Sequence, residues 1–76
     1  MTKLMIKLTS ISDVQKFVNA VARFSGDVDL QSGRYVVDAK SIMGIFSLDL
    51  MQPVEMTIHA DNADELIKDI EAYIVK

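Results

Sequence analysis

One histidine and no cysteine stand among 76 residues, so few side chains could carry a covalent or metal-bound intermediate. A lone His59 excludes a multi-histidine metal site. The missing cysteines exclude thiolate metal sites, disulfides and a cysteine nucleophile. Around His59, Val54, Met56, Ile58 and Ala60 alternate with Glu55, Thr57 and His59 itself. That period of two turns the imidazole to the wet side of a strand, where it reads as a solvent-facing residue. The hydroxyl best placed for chemistry belongs to Ser41, which precedes the apolar run Ile42-Met43-Gly44-Ile45-Phe46. A serine there caps a short helix. A phosphate on it would meet the positive end of that helix beside Lys40, so modification is compatible with the fold. No dyad or triad points to an independent enzyme, and neither a metal nor a cofactor is expected.

Charge narrows the partners. Eight basic residues against eleven acidic ones give a net charge of −3 with no Lys/Arg cluster, so nucleic acid is not expected to bind. Asp27, Asp29, Asp61, Asp64 and Asp69 read as a solvated face. Half the residues are hydrophobic and a quarter charged, a globular balance, and the length fits one domain over residues 1–76. The opening run from Met1 to Leu8 is broken by Lys3 and Lys7 and is too short for a signal-peptide core. Nothing approaches the roughly 18 apolar residues of a membrane span, so no membrane insertion is expected and the cytoplasm is the default compartment.

The elements that must position these groups follow in order. Leu4, Ile6 and Leu8 alternate with Lys3, Met5 and Lys7 as a half-buried strand. Ser12-Asp13-Val14-Gln15 has the form of a capping box, and Val14, Phe17, Val18, Val21 and Phe24 repeat at helical spacing up to a stop at Ser25-Gly26. Two strands joined by a tight turn at Ser32-Gly33 follow, the second running from Arg34 to Asp38. After the short helix opened by Ser41, Gln52-Pro53 leads into the strand that bears His59. Asn62 caps a last helix whose buried stripe is Ala63, Leu66, Ile67, Ile70, Tyr73 and Ile74. Strand, helix, strand, strand, short helix, strand, helix, with one wet sheet face, gives an α+β fold: an antiparallel sheet covered by helices on one side.

The segment Ala39-Lys40-Ser41-Ile42-Met43-Gly44-Ile45-Phe46-Ser47-Leu48 closely resembles the regulatory-serine motif of HPr, the histidine-containing phosphocarrier of the bacterial sugar phosphotransferase system. The element order is also that of HPr, and the resemblance runs from the first helix to the C-terminus. It implies an open-faced β-sandwich in which a four-stranded antiparallel sheet carries three helices on one face. It also implies that Ser41 is the site where a dedicated kinase regulates HPr in many Gram-positive bacteria. Ile42, Met43 and Phe46, with Lys40, would dock partner proteins: phosphotransferase-system enzymes, a serine kinase or a transcription regulator. Residues of this type equally serve the core of a small domain; Met43 and Phe46 are assigned to the exposed patch, Ile42 and Ile45 to the core.

The resemblance fails at one place. HPr accepts its phosphoryl group on a histidine just before the first helix, in the pattern histidine, any residue, arginine, proline. Ungapped alignment from the first helix sets Ser10 at the histidine, Ser12 at the arginine and Asp13 at the proline. A serine ester is too stable to pass its phosphoryl group on quickly, and a carboxylate at a helix start repels phosphate. The expected function is therefore a non-catalytic regulatory or protein-binding domain, with Ser41 phosphorylation as its expected control. The alternatives are a working phosphocarrier with another acceptor, and a small ligand-binding or oligomerisation domain that kept the fold.

Overall fold

Strand alternation and helical stripes assemble as β1 (Thr2–Ile6), α1 (Ile11–Ala22), β2 (Asp27–Ser32), β3 (Tyr35–Asp38), α2 (Ile42–Phe46), β4 (Val54–His59) and α3 (Asp64–Asp69), then a single 3₁₀ turn, Glu71–Tyr73. The computed structural model describes residues 1–75; Lys76, the last residue of the expected domain, lies outside them. One antiparallel sheet has the order β1-β4-β2-β3. Its inward rows place Leu4, Met56, Leu30 and Val37 side by side, with Ile6 opposite Val54, and Thr2 and Val28 flanking Ile58. Over this face pack Val14, Phe17, Val21, Ile45, Leu66 and Ile70, all buried. Phe17 meets Tyr73 edge to face at 6.3 Å, a geometry the ring quadrupoles favour. The opposite face, with Lys3, Met5, Glu55, Thr57, His59, Asp27, Asp29 and Gln31, is open. The expected α+β architecture, four strands and three helices in this order, is what forms.

Local differences have physical causes. The first helix begins two residues earlier than the Ser12 box predicts. Ser10 is its N-cap, accepting a hydrogen bond from the Asp13 amide, so the operative pattern is Ser10-Ile11-Ser12-Asp13. Gly26 does not stop α1 through left-handed backbone, since among the described residues only Gly33 has positive φ, at 59°. Arg23 caps α1 instead. At Gly26 a Cβ would lie 2.7 Å from the Phe24 ring, so glycine serves close approach there. Gly33 and Arg34 form a two-residue hairpin loop, one residue later than expected, with glycine at the first central position as a II′ turn requires.

The last helix is also shorter than its stripe. Asn62 accepts from the Asp64 amide in a local turn, Ala63 is the N-cap, and the helix tightens to 3₁₀ after Ile70. Beyond it the chain returns to the sheet. Lys7 N donates to Tyr73 O at 2.8 Å and Val75 N to Met5 O at 2.9 Å, with Ile6 facing Ile74, so the C-terminal residues cover the outer edge of β1.

Candidate docking surface and helix-start site

At the start of α1 Thr9, Ser10 and Asp13 are turned to holding the helix. Ser10 Oγ accepts from Asp13 N at 3.0 Å, and Asp13 Oδ2 accepts from the Thr9 hydroxyl at 2.8 Å and the Thr9 amide at 3.2 Å. These two Thr9 bonds hold the Asp13 carboxyl below its ordinary range, the hydroxyl contributing most. An ionised Asp13 thus sits where the helix N-terminus would otherwise offer positive potential to an anion. No imidazole precedes α1 in this chain. Ser10 caps the helix through the Asp13 amide, while the Asp13 carboxylate holds Thr9.

Beside that cap lies an open groove of about 660 Å³ lined by residues including Thr9, Ser10, Ile11, Phe46, Leu48 and Met51. Lys7 shapes its floor: the ammonium donates to Leu50 O at 3.0 Å and to Met51 O, fastening the segment between α2 and β4 to the end of β1. Phe46 is 43% exposed and Met43 78%, while Ile45 is fully buried and Ile42 partly buried against the core. The fold thus brings Ser10 and Phe46 to one groove and sets Met43 in solvent on the same short helix. Sequence reasoning passed over Ile11 and Met51, both exposed here. The available signal was Ile11, an apolar residue between two serines.

Ser41 caps α2 as expected, its Oγ accepting from Gly44 N at 3.1 Å. Lys40 does not reach toward it: the ammonium donates to Phe24 O at 2.9 Å, tying the corner before α2 to the end of α1, while the Lys40 amide donates to Asp38 Oδ1. A phosphate on Ser41 would therefore find the amides of α2 first, and Lys40 only after the Phe24 bond was released.

His59 stands on the open face, as its alternation predicts, at the end of the sheet away from the start of α1. Thr2 pairs with Ile58 there, whereas Ile6, which leads into α1, pairs with Val54. Its Nε2 lies 2.9 Å from Asp29 Oδ2, and Asp27 and Asp38 share the same shallow hollow. Three carboxylates around an imidazole make a poor seat for a phosphate. Among the described residues no group of His, Asp and Glu is arranged to hold a metal ion, and no helix is long and apolar enough to cross a membrane.

Comparison with known proteins places the fold in a family. The family described as "PTS HPr component phosphorylation site" matches residues 13–76, a span that begins three residues after Ser10. Among solved structures, HPr-C-His from Thermoanaerobacter tengcongensis is 28% identical with a TM-score of 0.79, over 95% of this chain and 89% of that one. Phosphocarrier protein HPr from Bacillus anthracis str. Ames is 26% identical with a TM-score of 0.69, over 97% and 94%. The catabolite repression protein Crh of Bacillus subtilis, described as a domain-swapped dimer, shares the fold at 23% identity and a TM-score of 0.66, over 100% and 93%.

Proposed function

Because the chain belongs to the HPr family of the phosphotransferase system, we propose that it serves there as a regulatory, protein-docking member and not as the phosphoryl carrier. The observation that carries this reading is the start of α1, where Ser10 accepts from the Asp13 amide, the Asp13 carboxylate accepts from Thr9, and no imidazole is present. Phosphoryl relay needs an acceptor whose bond to phosphorus is labile, which a neutral imidazole nitrogen provides, with a cation and free helix amides to receive the transferring charge. Here the acceptor is absent, and a carboxylate opposes the charge. What remains of a carrier's equipment is its means of meeting other proteins: Met43 and Phe46 exposed on α2, Ile42 behind them, and a groove continuing to Ile11 and Met51. Exposed methionine and phenylalanine beside a groove suit docking, since a flexible thioether adapts to the shape it meets.

Ser41 is the proposed control point. A kinase that phosphorylates it would put about two negative charges at the head of the docking helix, next to Met43. That charge can be held by the α2 amides without unfolding the domain, and it would change which partner surfaces are tolerated. Phosphotransferase-system enzymes, the kinase itself and a transcription regulator are the partners this surface would serve, in the cytoplasm.

The test is an intact-mass spectrum after incubation with phosphoenolpyruvate and the general phosphotransferase enzyme that charges HPr, with authentic HPr as control. The expected result is no mass gain while the control is charged. An acid-labile gain of one phosphoryl group would overturn the reading, and loss of that gain in His59→Ala would identify a substitute acceptor. A parallel reaction with ATP and an HPr serine kinase should give an acid-stable phosphate that Ser41→Ala abolishes.

A further inference from the structure

Among the described residues Asp29 and Asp38, at the β2–β3 end of the open sheet face, have no lysine or arginine beside them; Lys3 shares their cross-strand row but stands beyond Thr57, on β1. Asp29 and Asp38 are directly opposite each other across β2 and β3, an arrangement in which like charges repel. Asp29 has His59, but among the described residues Asp38 has no ion-pair partner, and neither does Arg34 at the hairpin tip. Lys40, the nearest basic residue in sequence, directs its ammonium to Phe24 O.

These charges lie on a free edge. Strand β3 is outermost in the sheet, and Tyr35 and Val36 on it are 71% and 57% exposed. The two-residue loop makes Ser32 and Tyr35 a hydrogen-bonded pair, so ladder alternation directs the Val36 and Asp38 main-chain groups away from β2. Neighbouring bonds agree: Ala39 N donates inward to Val28 O, whereas Asp38 O faces outward and accepts from Ser41 N. The edge Arg34-Tyr35-Val36-Val37-Asp38 therefore presents open main-chain groups in the middle and opposite charges at its two ends.

That pattern is its own complement. We propose that β3 pairs antiparallel with β3 of a second copy about a two-fold axis at Val36, continuing the sheet across two molecules. Val36 then faces its own copy, Tyr35 faces Val37, and Arg34 stands against Asp38 at both ends. Each arginine joins the row that ends in Asp29 and Asp38 and supplies the missing cation, while Tyr35 covers a β-branched neighbour. A strand of four residues buries far less than the roughly 1,200 Å² of a stable interface, so the dimer is transient and forms at high protein concentration.

Sedimentation velocity on the full chain from roughly 10 µM to 1 mM tests this, at low and high salt. The wild type should shift toward dimer, less so at high salt. Val36→Pro, which removes an outward N–H and leaves the β2–β3 ladder intact, should stay monomeric with an unchanged circular dichroism spectrum. Arg34→Asp and Asp38→Arg should each be monomeric alone yet associate when mixed, since both end contacts become complementary only in the mixed pair. A wild type that stays monomeric at 1 mM would overturn the proposal. So would a dimer indifferent to Val36→Pro, or charge variants that fail to associate when mixed although each is folded.

Discussion

Replacing Ser41 separates its capping role from any signalling role, because one oxygen serves both. Ser41 Oγ accepts from Gly44 N at 3.1 Å and is the side-chain cap at the N-terminus of a helix of five residues. Ser41→Ala removes that acceptor, and loss of an N-cap costs about 1 kcal/mol. For a domain of this length that is a fall in melting temperature of about 4–8 °C. Ser41→Gly should lose only a few tenths of that energy, since glycine leaves the amide open to water. Ser41→Asp retains an acceptor and adds a charge that the helix start favours by about 0.3–1 kcal/mol, so it should melt at or slightly above the wild type. Circular dichroism melts of the four proteins at pH 7 give the ranking directly. A Ser41→Ala protein as stable as wild type would show that the cap bond contributes nothing. If Ser41→Asp fell as far as Ser41→Ala, negative charge would not be accommodated at this helix, and the regulatory reading of Ser41 would lose its physical basis.

Asp13 gives a pH signature. Its carboxyl is held below the ordinary range by the Thr9 bonds, so its contribution is full above the unfolded carboxylate value and disappears as pH falls through the depressed one. Urea melts of Asp13→Asn should therefore lose less stability between about pH 5 and pH 2 than wild type, and an identical acid limb would refute this. Met43→Lys should leave stability within about 0.5 kcal/mol, since the side chain is mostly in water, yet weaken docking to a phosphotransferase-system enzyme about tenfold by calorimetry. An unchanged affinity would remove Met43 from the surface. Phe17→Ala, fully buried against Tyr73, should cost about 3–5 kcal/mol in a domain that carries roughly 4–11, and a loss under 1 kcal/mol in denaturant melts would contradict the packing. Lys7→Met keeps the aliphatic stem but loses the bonds to Leu50 and Met51, so hydrogen exchange should quicken in residues 47–53 and nowhere else; uniform exchange would show the loop is held otherwise.

Most of the fold was legible because strands with one wet face write their alternation into the chain. Val54, Met56 and Ile58 are buried and His59 exposed as their period demands, and Gly33 adopts the positive φ that a two-residue hairpin needs. What the sequence left ambiguous sits at helix ends, where several short polar residues satisfy the same rule. Ser12 with Gln15 reads as the cap in the sequence; Ser10 with Asp13, which the structure uses, satisfies the same rule, and both leave Val14, Phe17 and Val21 on the buried face, so periodicity does not choose between them. The choice is made by Thr9, whose amide and hydroxyl close on Asp13 only if the helix starts after Ser10. A similar limit explains the last helix: apolar spacings of three and four serve an α-helix and a 3₁₀ turn alike, so neither the tightening at Ile70 nor the return of Val75 to the edge of β1 could be read beforehand.

That one ambiguity bears on function. Were Ser12 the cap, Ser10 would be an unengaged hydroxyl in the loop ahead of the helix, and Asp13 would be the first-turn residue next to it. With Ser10 as the cap, its oxygen is committed to the Asp13 amide, and Asp13 in turn is committed to Thr9. Thr9, Ser10 and Asp13 thus form a closed set of local bonds that stabilise the start of α1. A closed cap strengthens the helix behind the docking groove, which a binding domain needs. It also takes the Asp13 amide and sets a carboxylate at the helix start, so under the proposed function the same bonds would support docking and oppose relay.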